Sequence, residues 1–536
     1  MTSITCGMAA IRLMEAHGVD TVFGIPGVHT LELYRGLANS PIRHVTPRHE
    51  QGAAFMADGY ARMSGRPGVC LLTTGPGVTN AATAIAEAYS DSVPMLIISS
   101  VNARDDLGQG RGRLHELSNQ QAAMAPLCGF SQTVLTPDAL PLAVARAFAL
   151  FRGARPRPVH LEIPLDVLAM PFDVPIAATM APALSAPDAA AIERAAELLT
   201  NAKRPVILAG GGAIGAGAAL TALAERVGAT VIVTVAAKGT VPDMHALCLG
   251  ANLPAAPVRR ELAAADVVLA IGTEIAETDH WQGRLIGIPG RIIRVDIDAQ
   301  SLTRDYPPTV AILADAAHVA RDLLAALGTR SVSDAVRQAA AARLAGVRKQ
   351  VMAELTPLER RHMKLLDALR AALPPTSAVA ADMTQLAYTA NQHFQTSQPR
   401  SYFYPTGYGT LGYGLPAGIG AKLADPSRPV VVLVGDGGLQ FTVAELASAA
   451  ELDLGLPIVL WHNDGYGQIR DGMVQRGMPE IGVNIRNPDF AALARAYGCH
   501  ARRPDSLAQF QSDVTAALAA DVPTVIEVRE DSTFLA

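Results

Sequence analysis

The stretch 430–469, VVVLVGDGGLQFTVAELASAAELDLGLPIVLWHNDGYGQI, holds two short apolar runs, and the first ends in Gly435-Asp436-Gly437-Gly438. Continuous apolar runs rich in β-branched residues suit strands buried on both faces, as in a parallel sheet covered by helices. The residues between the runs are enough for one helix, so the spacing predicts strand, helix, strand, with Asn463 just past the second strand. At the carboxyl edge of a parallel strand, a glycine-flanked carboxylate faces a crevice while turn amides approach an anion. Asp436, the Asn463 side-chain oxygen and a nearby backbone carbonyl then form a hard, all-oxygen set. Such a set suits Mg²⁺, which keeps near-octahedral geometry and bridges to phosphate oxygens. A turn aspartate or a strand-end asparagine alone is usually structural; their pairing at this spacing points to chemistry.

The same grammar runs outward from that stretch. TVFGIPG, IRHV, GVCLLTTGPG, PMLIISS and RPVHLEIPLDV alternate with helical patterns over the first 165 residues, and RPVILAGGG, ADVVLAIGTE and GRIIRVDID follow in the middle. Strand and helix alternation of this kind predicts an α/β chain of doubly wound parallel sheets. At 536 residues, about three domains are expected. The Pro- and Ala-rich MPFDVPIAATMAPALSAPDAA suits a linker. The expected division is 1–180, 181–330, a connecting helix over 331–360, and 361–536. GGGAIGAG after PVILAG has dinucleotide-loop spacing, which is a weak signal alone and equally fits a tight turn.

Composition excludes other classes. A net charge of −5 gives no basic field for nucleic acid. Cys6, Cys70, Cys128, Cys248 and Cys499 lack CxxC pairing, which argues against a zinc site or a disulfide framework. The N-terminus lacks the basic flank and apolar run of a signal peptide. No run approaches the ~18 apolar residues of a membrane span. The expectation is a soluble cytoplasmic protein.

GDG followed by Asn after some two dozen residues resembles the diphosphate-binding motif of thiamine diphosphate enzymes. The resemblance implies thiamine diphosphate and Mg²⁺ as cofactors, with Asp436, Asn463 and the Gly465 backbone carbonyl as metal ligands and Tyr466 beside them. RHEQGAAFMADGYAR supplies Glu50, which in this family bonds the cofactor's aminopyrimidine and activates C2. TGYGTLGYGLPAGIGA aligns Gly409, Thr410, Leu411 and Gly412 with the segment that wedges an apolar side chain under the cofactor. ADMTQ makes Thr384 a diphosphate contact and Gln385 a weaker one. Because the family pairs the Glu-bearing domain of one subunit with the diphosphate domain of another, a homodimer or homotetramer is implied.

The chain looks most like acetolactate synthase and its decarboxylase relatives. The synthases keep an arginine in GxRFDDR and a tryptophan soon after the asparagine motif; here GTEIAETDHW and Gly472 stand at those places. Without the cationic anchor, a second 2-oxo acid loses the charge-assisted pair that orients it. The FAD-contacting loop is replaced by GANLPAAP, which lowers the expectation of FAD. Decarboxylase landmarks are also absent: Ile469 stands where a glutamate occurs in pyruvate decarboxylases, and Thr73 where benzoylformate decarboxylase has a histidine. His29 and His115 are the candidate proton-transfer residues. VFGIPGVHTLELYRGL, GTEIAETDHW and ADMTQLAY resemble 5-guanidino-2-oxopentanoate decarboxylases, acting on the 2-oxo acid made by transaminating arginine. A guanidinium tail needs carboxylates, for which Asp471 and Glu480 are candidates, with Thr73 and Gln468 as further substrate contacts. Carboligation and a non-catalytic subunit are the alternatives; retention of Glu50, Asp436 and Asn463 argues against the latter.

Overall fold

A computed structural model describes residues 4–180 and 182–536. Three parallel sheets of six, five and six strands succeed one another along the chain. In space the first runs Arg43–Val45, Thr21–Phe23, Gly68–Leu72, Met95–Val101, Val159–Pro164, Phe130–Thr133. The third runs Tyr402–Phe403, Ala378–Ala381, Val430–Gly435, Pro457–His462, Thr524–Arg529, His500–Arg502. Numbered within its own sheet, each has the order 2-1-3-4-6-5, so two halves share a topology that no sequence repeat betrays. The middle sheet, Thr230–Val233, Pro205–Ala209, Val267–Ile271, Arg291–Asp296 and Val310–Leu313, is a doubly wound 2-1-3-4-5. In open sheets of this kind, ligands bind beyond the carboxyl ends of the strands where the order reverses.

The outer sheets are locked together by helices Glu50–Ser64 and Gly414–Ala424, which share one core that includes Phe55, Tyr413 and Leu415. Their backbones approach closely: a Cβ on Gly59 would lie 2.0 Å from the Ala417 carbonyl oxygen, and one on Gly420 1.8 Å from that of Met56. Buried Asp58 crosses the joint, accepting from Arg62 Nε at 2.6 Å and from the Tyr413 hydroxyl at 2.8 Å. This packing fixes where Glu50, the first residue of its helix, points.

Two sequence expectations shift. Glu50 does not end the strand of IRHV; that strand stops at Val45, and Glu50 opens the next helix after His49, whose Nδ1 accepts from Gln51 N at 3.1 Å. The connecting helix is interrupted, ending at Ala353, because Thr356, Pro357 and Glu359 build a capping box that starts another helix, Pro357–Ala372. Among the described residues no helix is long and apolar enough to cross a membrane. All five cysteines are buried and unpaired.

Two interior histidines tie stability to pH. His160 sits between Ser99 and Ser131 hydroxyls at 2.8 Å each, and His362 bonds Thr389 at 2.8 Å. Burial lowers their pKa values to about 3 and about 4. With folded values below the unfolded one, stability is full above about pH 6.5 and is lost as pH falls, because the unfolded chain takes up protons first. Each histidine is expected to cost about 2 kcal/mol between about pH 6.5 and pH 5. Urea denaturation at the two pH values checks this, and a parental stability that does not fall refutes it.

Candidate active site

The cradle lies beyond the carboxyl ends of the third sheet. Asp436 opens the helix Asp436–Thr442 directly after strand Val430–Gly435, and Asn463 follows strand Pro457–His462. Asp436 is 1% exposed. Its Oδ1 accepts from Gly437 N at 2.9 Å, and its Oδ2 from Gly465 N at 3.2 Å and Asn487 Nδ2 at 2.6 Å. The glycines admit close neighbours: a Cβ on Gly435 would lie 2.9 Å from Thr384 Oγ1, one on Gly437 2.8 Å from the Tyr466 ring, and one on Gly438 3.1 Å from Asp382 Oδ1. Thr384 and Tyr466 thus wall the turn.

The Asn463 amide oxygen lies 3.2 Å from Asp436 Oδ1 and 2.8 Å from the Gly465 carbonyl oxygen, while its Nδ2 donates to Gln385 Oε1 at 3.1 Å. Three acceptors therefore meet with no proton between them, unless the amide is turned over so that its nitrogen donates to both oxygens. A cation resolves the contact without that turn, so the donor set fits Mg²⁺. Asp436, His462 and Asp464 also approach within 4.8 Å of one another. His462 and Asp464 are committed elsewhere: His462 Nδ1 bonds Glu527 at 2.7 Å, and Asp464 accepts from Arg529 at 2.8 Å. Burial pulls His462 down, but bonds to Glu527 and Asp464 with the charge of Asp436 prevail and raise its pKa.

Sequence reading missed Asp382, Asn487 and Glu445. Asp382, buried, accepts from the amides of Met383, Gly412 and Gly414 at 2.7, 3.1 and 3.0 Å. It anchors the turn that carries half-buried Leu411 between Gly409 and Gly412, whose φ values of 71° and 85° need glycine. Burial raises its pKa to about 6 against those three bonds. Glu445, at the start of helix Glu445–Glu451 beside the third sheet, accepts at Oε1 from the amides of Arg48 and His49 at 3.0 and 3.1 Å, clamping the start of the Glu50 helix. A side chain on Gly52 would meet it at 2.2 Å. An aspartate in ADMTQ was a visible signal; the other two had none.

A second cluster forms at the first sheet. Asn80 Nδ2 donates to Glu50 Oε2 at 2.9 Å, and a Cβ on Gly77 would lie 2.9 Å from Thr73 Cγ2 and 3.5 Å from Glu50 Oε1. The His29 and His115 rings, 86 residues apart in sequence, come within 5.0 Å. His115 has φ 61°, and its carbonyl packs against Gly75. His29 Nδ1, His115 Nδ1 and Thr73 Oγ1 are all buried without a hydrogen-bond partner among the described residues. Burial lowers the His29 pKa, and His115 lowers it further. No hydrogen bond or ion pair joins Glu50 to the Asp436 cradle within the described residues. Of the substrate candidates, Gln468 and Glu480 are exposed, Glu480 accepting from Asn484 at 2.7 Å, while half-buried Asp471 accepts from Gln385 Nε2 at 2.7 Å.

Models of the thiamine pyrophosphate enzyme N-terminal binding domain, central domain and C-terminal binding domain match residues 4–124, 192–323 and 382–528. The chain belongs to the thiamine pyrophosphate enzyme family. Among its relatives, the probable 2-ketoarginine decarboxylase AruI of Pseudomonas aeruginosa is 53% identical over 98% of this chain and 94% of its own length. The probable acetolactate synthase large subunit of Methanocaldococcus jannaschii is 32% identical over 97% of this chain and 91% of its own length. The acetolactate synthase isozyme 1 large subunit of Escherichia coli is 31% identical over 97% and 93%. For a thiamine pyrophosphate enzyme, the Asp436 cradle and the Glu50 cluster stand where cofactor-binding domains are matched. Nothing in these matches supports FAD. Gly210, Gly211, Gly212 and Glu274 of the middle domain line, together with residues of both outer domains such as Asp91 and Tyr402, a cleft of about 840 Å³. There Arg155 Nη2 already sits 3.0 Å from both oxygens of Asp296.

Proposed function

We propose that this chain catalyses the thiamine diphosphate- and Mg²⁺-dependent decarboxylation of 5-guanidino-2-oxopentanoate to 4-guanidinobutanal and carbon dioxide, a step of arginine catabolism. The observation that carries this reading is the 53% identity, over nearly the whole chain, to a protein described as a probable 2-ketoarginine decarboxylase. The convergence of Asp436 Oδ1, the Asn463 oxygen and the Gly465 carbonyl supports a divalent cation at the cradle. Thr384, Gly409, Gly435, Gly437, Gly438 and Tyr466 line the diphosphate side, and Leu411 supports the rings. Thiamine diphosphate, when bound, supplies the electron sink for the carbanion left by decarboxylation.

The protein's own residues hold, orient and move protons. Glu50 shares a proton with a ring nitrogen, and Asn80 holds one of its oxygens in place. The His29–His115 pair supplies the proton that completes the aldehyde; its orphaned ring nitrogens and the Thr73 hydroxyl face an unmet hydrogen-bonding need. Asp471 and Glu480, with Gln468 nearby, receive the guanidinium tail. In the arrangement that the family resemblance implies, the complete site forms in a cytoplasmic homodimer or homotetramer, with Glu50 of one copy facing the Asp436 cradle of another across the cofactor.

The test is carbon dioxide release by the purified protein with both cofactors, comparing 5-guanidino-2-oxopentanoate with pyruvate and assaying acetolactate in parallel. Release from the guanidino acid about 10–100-fold faster than from pyruvate is expected, since pyruvate has no cationic group to make the charge-assisted pair with half-buried Asp471, worth about 1.5–3 kcal/mol. Acetolactate from pyruvate would replace this reading with carboligation, to which the synthase relatives lend weight.

A further inference from the structure

We infer that Asp471 and Gln385 set the polarity of the Asn463 amide, so that its oxygen and not its nitrogen faces the metal. The inference rests on the reading of the cradle as a Mg²⁺ site. A primary amide has two ends of nearly equal shape and opposite polarity, and a hard cation accepts one of them. Nothing in the shape of Asn463 itself selects the end. The selection comes from behind it, where Gln385 faces the amide and the Glu530 carboxylate stands beside it.

Asp471 lies on helix Gly467–Gln475, and Gln385 opens helix Gln385–His393. An ionised carboxylate accepts hydrogen bonds and donates none. Asp471 Oδ2 therefore claims Gln385 Nε2, at 2.7 Å, and turns Gln385 Oε1 toward Asn463. That oxygen in turn requires a donor and takes Asn463 Nδ2 at 3.1 Å. What remains for the cradle is the Asn463 oxygen, 3.2 Å from Asp436 Oδ1 and 2.8 Å from the Gly465 carbonyl.

Every other arrangement leaves a clash elsewhere. Turning Asn463 alone sets its oxygen against Gln385 Oε1 at 3.1 Å; turning both amides sets the Gln385 oxygen against Asp471 Oδ2 at 2.7 Å. With the carboxylate fixed at the far end, the one oxygen cluster lies at the cradle, where a cation removes it. The relay is also sterically built: a Cβ on Gly467 would lie 2.3 Å from Asn463 Nδ2 and 2.6 Å from Gln385 Oε1. Gln385 is 7% exposed, so water does not readily replace it as the partner of Asn463. Asp471 and Gln385 are thus positioning residues for the metal ligand.

The experiment titrates Mn²⁺ into the full-length protein with thiamine diphosphate and no substrate, counting free Mn²⁺ by electron paramagnetic resonance. Leaving substrate out separates this role of Asp471 from any contact with a guanidinium tail. Gln385→Met and Asp471→Leu are expected to weaken Mn²⁺ binding about 10–100-fold, the usual cost of losing an outer-sphere partner, while the melting temperature of the metal-free protein holds. Gln385→Glu sets two carboxylates face to face and is expected to weaken binding similarly. Adding Asp471→Asn restores a donor facing an acceptor, and affinity returns to within about threefold of the parent. Parental affinity in Gln385→Met, or a double variant no better than Gln385→Glu, overturns the relay alone. A parent that binds no Mn²⁺ overturns the metal reading and the relay with it.

Discussion

Asp436→Ala is expected to abolish joint binding of Mg²⁺ and thiamine diphosphate and to lower decarboxylation at least ~10³-fold at cofactor levels that saturate the parent. Asp436 brings the negative charge to the three-oxygen set, and its loss leaves two neutral carbonyl-type oxygens for a dication. The variant also strands the amides of Gly437 and Gly465 and the Asn487 side chain, all donors to this carboxylate. Each stranded donor costs about 1–3 kcal/mol, so Asp436→Asn, which keeps an acceptor in nearly the same shape, is the necessary companion. Calorimetric titration of both variants separates metal loss from local collapse. Normal cofactor affinity in Asp436→Asn would sink the assignment of Asp436 as a ligand.

Glu50→Gln is expected to leave cofactor affinity near parental and to lower turnover about 10²–10⁴-fold, the range for removing one acid–base group. The amide keeps a hydrogen-bonding side chain beside Asn80 but cannot carry the negative charge that holds a proton on the ring nitrogen. Exchange of the bound cofactor's C2 proton for deuterium reads the same step without substrate, and it should slow in parallel. A variant that exchanges and turns over as fast as the parent would show that activation runs through another group. These two substitutions have opposite signatures: one removes binding, the other spares it.

Much of this was legible because it is local. GDG at the end of an apolar run, followed by Asn463 after the next run, needs the strand–helix–strand rule and the chemistry of hard oxygen ligands, and the structure places both residues at neighbouring strand ends. Most of the apolar runs of the three sheets were equally readable, whereas Phe130–Thr133, half-buried and partly polar, Val310–Leu313, exposed at alternate positions, and the short Tyr402–Phe403 and His500–Arg502 carried no strand expectation. Glu50 was legible as a residue but not as the first residue of a helix, since its position depends on how His49 and Glu445 seat the turn before it. Asn487 and Glu445 looked like ordinary polar residues. Their importance comes from the long-range hydrogen bonds that they make.

The sequence by itself determined the α/β class, the family, and the residue types proposed to face a magnesium diphosphate, because those follow from periodicity and from a short motif whose spacing is set by one helix and one strand. Tertiary structure alone decided that His29 and His115 stand side by side, that Asp382 anchors the Leu411 turn, and that Asp471 reaches Asn463 through Gln385. The physical reason is the sheet order: reversing direction at the switch between strands brings loops from distant parts of the chain to one edge. Which side chains meet there, and which way an amide between them points, is fixed by packing that no linear pattern carries.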